Sequence, residues 1–251
     1  MIQNNFKKLC LVAVSLSATG VFASIPMKNS NQATKAIAKT ETLVALGLPL
    51  ENRLSALKAE GTSGYRNLIA LMNDETAPME ARWRAVTAMG RLGGKLSFPE
   101  LKQALHSKVW YLRNAALVSS VQIDHDQALT WAKELISDKA LVVRSAAVDV
   151  MTDLKDSRSK SILWQKLNSK ENFRGKQSLW IRRKIVESLA VIEEKGSEQK
   201  FGMILADKDE TLYPPAIKAL ERITEQQLGK YDEAPKAKRL QWIAYLKQNT
   251  I

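Results

Sequence analysis

Apolar residues return every three or four positions through most of the chain, as in Leu101 and Leu105 or Leu129, Ala132, Leu135 and Ile136. That spacing lines one face of an α-helix. No segment sustains the strict alternation of apolar and polar residues that marks a half-buried strand, so the pattern predicts helices and no strand. The breaks carry helix-boundary residues. Gly61, Gly93, Gly94, Gly196 and Gly229 follow helical runs where a left-handed closing residue would sit. Ser97, with Glu100 three positions on, has the capping-box pattern, in which the two side chains satisfy free backbone donors at a helix start.

The pattern also repeats. Arg82-Trp83-Arg84-Ala85-Val86, Arg113-Asn114-Ala115-Ala116-Leu117, Arg144-Ser145-Ala146-Ala147-Val148 and Arg182-Arg183-Lys184-Ile185-Val186 align with arginine in one register, spaced 31, 31 and 38 residues apart. A copy 32 residues later starts at Pro214, with proline in place of arginine, and one 29 residues earlier starts at Arg53. Each unit reads as two helices, with the arginine opening the second. Six units result, the outer two degenerate. A helix pair about every 30 residues predicts an all-α fold, an α-solenoid of about six pairs. The third position after the arginine is Ala85, Ala116, Ala147, Ile185 and Ile217, small in the early units, where helices must approach closely. Pro235 to Gln248 sets Leu240, Ile243, Ala244 and Leu246 among Lys236, Lys238, Arg239 and Lys247. It reads as a C-terminal capping helix, the alternative being a basic amphipathic helix lying on a membrane surface.

This pattern resembles the HEAT-repeat family, above all its short bacterial HEAT-like units. The residues that carry the resemblance are the Arg-x-Ala-Ala motifs at Arg113 and Arg144 and the turn Asp138-Lys139-Ala140-Leu141-Val142-Val143, and it extends from about Tyr65 to Gly229. In that family a turn aspartate and the arginine opening the second helix form a hydrogen-bonded ladder between units. Asp138 and Arg144 stand at those positions. Ser107 stands where the preceding unit would have its aspartate, and Arg182 has no evident acidic partner, so the resemblance implies an interrupted ladder. It implies a fold and hardly a function, because one fold hosts many.

The first residues change the picture of where the chain works. Lys7 and Lys8 precede an apolar stretch from Leu9 to Gly20, and Val21-Phe22-Ala23 offers a cleavage site before Ser24. This is the layout of a secretory signal peptide, and its apolar run is too short to span a bilayer. Residues 1–23 are therefore expected to be a cleaved leader, 24–39 a linker and 40–251 a single HEAT-like domain in the periplasm or outside the cell. Cys10, the one cysteine, would leave with the leader. It lies at the start of the apolar run rather than at the cleavage point, so no lipid anchor is expected. Without the leader's two lysines the net charge of +12 becomes +10, a balance that favours acidic partners and also keeps proteins soluble.

Candidate chemistry is sparse. His106 and His125 are the two histidines, neither at metal-ligand spacing from a carboxylate or another histidine, so no metal and no other cofactor is expected. The His-Glu pairs of HEAT-like hydroxylases, nucleophile elbows and phosphate-binding glycine loops are all missing from the sequence. Asp124-His125-Asp126 reads as a capping turn rather than an acid–base group. No catalytic residue is assigned and no enzymatic activity is expected.

The arginine register also sets a solvent side for the second helices, at positions one, two, five and nine after each arginine. These are Trp83, Arg84, Thr87 and Arg91; Asn114, Val118 and Gln122; Ser145, Asp149 and Asp153; Arg183, Lys184 and Glu187; and Arg222. The resemblance makes this the concave face, basic at both ends and acidic in the middle, a mixture suited to a protein or peptide partner. Trp83, beside two arginines, has the composition in which interface energy concentrates. Trp131 and Trp164 read as core. The 38-residue spacing implies an insertion at Ser169 to Ser178, where Phe173 and Arg174 are further candidates. The leading expectation is an exported, non-catalytic scaffold for a protein or peptide. A binder of an anionic envelope glycolipid or glycan shares the basic charge. HEAT-like alkylpurine DNA glycosylases also combine a basic solenoid with exposed tryptophans, but they act on DNA inside the cell, which the leader contradicts, so nucleic acid is not the expected partner.

Overall fold

The computed structural model describes residues 40–230 and 232–249. The expected leader and linker lie outside the described residues. Helix α1 covers residues 40–47. It is followed by α2 (Leu50–Ala59), α3 (Gly61–Asn73), α4 (Met79–Gly93), α5 (Phe98–Leu105), α6 (Trp110–Ser120) and α7 (His125–Leu135). The second half holds α8 (Leu141–Leu154), α9 (Lys160–Leu167), α10 (Ile181–Ile192), α11 (Glu198–Ile204), α12 (Tyr213–Thr224) and α13 (Pro235–Gln248). The fold is all-α as expected, with one exception. Phe173–Arg174 pairs antiparallel with Gln177–Ser178 in a two-stranded hairpin inside the insertion, where Gly175 takes a φ of 62° that only glycine adopts without strain. Two residues per strand are too few to show as alternation in the sequence.

Neighbouring helices pack as pairs, α3 on α4, α5 on α6, α7 on α8, α9 on α10 and α11 on α12, while α4, α6, α8, α10 and α12 pack side by side in that order. The third and fourth residues after each arginine lie in these contacts: Ala85, Val86, Ala116, Leu117, Ala147, Val148, Ile185 and Val186 are all fully buried. At the far end α13 packs on α11 and α12 through buried Trp242 and Leu246. Three of its four basic residues are engaged within the fold: Lys236 pairs with Glu210 at 2.7 Å, Lys238 with Glu221 at 3.6 Å, and Arg239 donates to the Leu205 carbonyl. That arrangement supports the capping role over the membrane one, because a surface helix needs its cations free for lipid. Among the described residues no helix is long and apolar enough to cross a membrane.

The arginines at the head of each second helix are buried, and their hydrogen bonds tie one helix pair to the next. Arg113 makes a two-pronged pair with Asp138, both contacts at 2.6 Å, and donates to the Ser107 and Lys108 carbonyls. Arg144 repeats the local half, donating to the Asp138 and Lys139 carbonyls, but reaches forward to the Asn172 side-chain oxygen at 3.1 Å and the Glu171 carbonyl. Arg182 does have an acidic partner, contrary to the expectation: Asp207 at 2.6 Å, one helix pair further on. It also holds the Leu167 carbonyl, Asn168 and Ser178. Arg82, which faces Ser107's unit, uses the Tyr111 hydroxyl and the Met72 carbonyl instead. The bridging therefore runs further than the sequence indicated, with Arg113, Arg144 and Arg182 each pairing with the following turn and Arg82 with the first turn of α6.

The last copy also shifts register. Tyr213, not Pro214, takes the arginine's place: it is buried, and its hydroxyl donates to the Asp207 carbonyl six residues back at 2.7 Å, as Arg144 does to the Asp138 carbonyl. Pro214 is exposed. The capping box at Ser97 does not form either. Residues Gly94–Ser97 make a short 3-10 turn leading directly into α5, so Ser97 is already helical and its hydroxyl donates back to the Gly94 carbonyl. Glu100 accepts instead from the Tyr65 hydroxyl.

Candidate functional site

The solvent side of the second helices follows the ninth position after the arginine without exception. Arg91, Gln122, Asp153 and Val191 are all exposed. Position five is exposed in Val118, Asp149 and Glu187 and partly covered in Thr87. Position one is mixed, as expected about 100° from a buried residue: Arg183 is exposed, Trp83 and Asn114 are partly buried, and Ser145 is buried.

These positions do not merge into one long groove. Trp83, Thr87, Arg91 and Gln122 come together in an open groove of about 750 Å³ across α2, α4 and α6. Val118, also expected on this side, lines it too; the sequence reading missed the rest, which is Leu50, Arg53 and Leu54 from α2, Gly90, Gly94 and Lys95 at the end of α4, and Ser119 and Ile123 on α6 and its exit. Gly90 lets α4 and α6 close up here, since a Cβ on it would stand 2.9 Å from Ser119 Cβ. Trp83 is half-buried against the core, leaving part of its ring to the groove. Arg53, aligned in sequence with the ladder arginines, donates to the Leu48 carbonyl at 2.9 Å and lines the groove.

Charge in the groove is one-sided. Arg53, Arg91 and Lys95 line it, with no aspartate or glutamate among the described lining residues. Lys95 pairs with Asp124 at 2.7 Å, and Asp124 also caps α7 by accepting from the Gln127 N–H, the capping role its sequence context suggested. Arg84 does not line the groove: it donates to the Leu46 carbonyl at 2.8 Å and pairs with Glu80. Burial lowers the Arg53 pKa, and repulsion from Arg84 and Arg91 lowers it further, against a smaller opposing effect of Glu80.

The other candidates sit elsewhere. Asp149 pairs with Lys184 across α8 and α10 at 2.6 Å, and Arg183 with Glu187 along α10 at 2.8 Å. Arg222 is anchored to the Ala190 and Glu193 carbonyls. Asp153 is exposed, and Asn114 is partly buried outside the groove. In the insertion Phe173 lies under the Arg182 guanidinium, 4.6 Å from ring centre to carbon, while Arg174 is exposed. The insertion is thus bolted to the buried arginines at both ends of its hairpin, through Asn172 and Phe173 at the first and Ser178 at the second. Trp131 is buried against Phe98, and Trp164 donates its indole N–H to Glu193. Trp110 and Trp180 are exposed where α6 and α10 begin. His106 bridges the Lys102 carbonyl and Glu134.

No protein-family model matches the chain, and no match to a curated protein was found. Among solved structures the chain is similar to the crystal structure of an engineered protein, at 16% sequence identity and a TM-score of 0.44 over 79% of this chain and 93% of that one.

Proposed function

We propose that this chain is an exported, non-catalytic HEAT-like scaffold, an α-solenoid of six helix pairs closed by α13, that binds a protein or peptide partner on its row of second helices. The succession of α4, α6, α8, α10 and α12, the first four each bridged to the following unit by a buried arginine at its head, supports the solenoid reading. The basic, apolar and small-residue layout of residues 1–23 supports export. The observation that carries the binding role is the open groove on that row, where Trp83 lies among cations that have no carboxylate of their own in the lining. Aromatic and arginine side chains together are the composition of interface hot spots.

A pull-down from envelope extract, using the chain from Ser24 onward, tests the reading. A captured protein should bind Trp83→Ala more weakly by about 2 kcal/mol, with the far-UV spectrum still helical. Intact-mass measurement on protein from the native cell should show a chain starting near Ser24. A cytoplasmic chain retaining Met1, with binding to DNA that falls steeply as salt rises, would replace this reading with the DNA-acting one.

A further inference from the structure

The groove across α2, α4 and α6 holds two guanidinium groups that form no ion pair among the described residues. Arg53 donates one N–H to the Leu48 carbonyl, but its Nε is buried with no hydrogen-bond partner. A buried donor left unmade is costly, and evolution retains few. Arg91 is exposed and makes no hydrogen bond or ion pair among the described residues. Arg84 adds a third positive charge close enough to depress the Arg53 pKa, which burial has already lowered. Beside these groups is an apolar floor, with Leu54 and Trp83 partly covered and Val118 43% exposed.

We propose that this groove recognises an acidic, apolar peptide segment of a protein partner: a carboxylate on the Arg53 and Arg91 guanidinium groups and a neighbouring aliphatic or aromatic side chain on Trp83 and Leu54. This deepens the scaffold reading and rests on it. A carboxylate satisfies both halves of the problem, because its oxygens accept from guanidinium N–H groups in strong charge-assisted bonds and its charge offsets the mutual repulsion of the arginines. The apolar floor argues against a free phosphate or a sugar, which would leave it uncovered. Exposed Asp153, on α8 further along the same row, argues against an anionic membrane or a polyanion, which would meet a like charge there.

The test uses the chain isolated from its native cell and an array of acetylated, amidated eight-residue peptides composed of Asp, Glu, Leu, Phe and Ser. A twin array carries Asn and Gln in place of Asp and Glu. Peptides with a carboxylate next to Leu or Phe should bind, and their amide twins should bind at least about tenfold more weakly. Arg53→Met and Arg91→Gln should each weaken the acidic peptides by about tenfold, and vesicles of phosphatidylglycerol should not compete. Arg91 is exposed, so Arg91→Gln keeps the test valid even if Arg53→Met misfolds. Equal binding by the twin peptides, indifference to Arg91→Gln, or binding of the vesicles with none of the peptides would each overturn the proposal. If a captured protein partner ignores both arginines, this inference fails and the scaffold reading stands. If no protein is captured and no peptide binds, both fail.

Discussion

Asp138→Ala should destabilise the protein by about 3–5 kcal/mol, because it strips a buried guanidinium of its carboxylate partner. The Arg113 and Asp138 side chains are 6% and 7% exposed, so water cannot take the lost partner's place. The variant also removes the acceptor for the Ala140 N–H. In thermal unfolding the loss should lower the apparent melting temperature by roughly 6–20 °C. Asp138→Asn should lose less than half as much, since Arg144 already uses Asn172 in the next unit. The pair also sets an acid limit. Burial raises the Asp138 pKa, but hydrogen bonds from Arg113 and Ala140 and the Arg113 charge together outweigh it, leaving the carboxyl below its ordinary value. The balance at Asp207 is the same, with Arg182 as the partner. A carboxyl depressed in the folded state stabilises it above the unfolded pKa of about 4, and that contribution disappears as pH falls through the lower folded value. Wild-type stability should therefore fall below about pH 4, and Asp138→Asn should show a shallower fall. Equal acid sensitivity in the two proteins would contradict the assignment.

Arg182→Met is the second large effect, at about 3 kcal/mol. It leaves the Leu167 carbonyl and Asn168 without their donor and removes the charge facing Asp207. Asp207 is a quarter exposed, so solvent moderates the penalty there. What distinguishes this variant is local: Phe173 loses the guanidinium that covers it, and the hairpin loses its Ser178 anchor. Trypsin should then cut after Arg174 or Lys176 much faster than in the wild type, while the Asp138→Ala variant should not show that site preference. Unchanged cleavage between residues 169 and 178 would mean the hairpin is held by other contacts.

Much of the helical framework was legible because burial repeats with the helix period. The arginine register located the starts of α4, α6, α8 and α10, and the buried pairs such as Ala116 and Leu117 followed from it. The failures share a physical origin. Tyr213 performs the arginine's hydrogen bond with a different functional group, so a search for arginine shifted the last unit by one residue. Asp207 is 25 residues from Arg182, beyond the turn in which a partner was sought. Helices α8 and α12 end at Lys155 and Glu225 in the left-handed conformation, φ 49° and 59°, where no glycine marks the stop. The groove was half legible. Trp83, Thr87, Arg91, Val118 and Gln122 came from the helix wheel, but Arg53 and Leu54 depend on how α2 sits against α4. Arg84 lies outside the groove because its guanidinium reaches the Leu46 carbonyl near the end of α1.

The row of second helices as the binding face is tested most directly by photo-crosslinking in the native cell. A benzophenone side chain is placed at Val118 or Gln122 in the groove, and at Thr130 on α7 or Gln165 on α9, all four exposed. The account predicts one protein adduct of the same mass from positions 118 and 122 and none from 130 and 165. An adduct from 130 or 165 with none from the groove would contradict it.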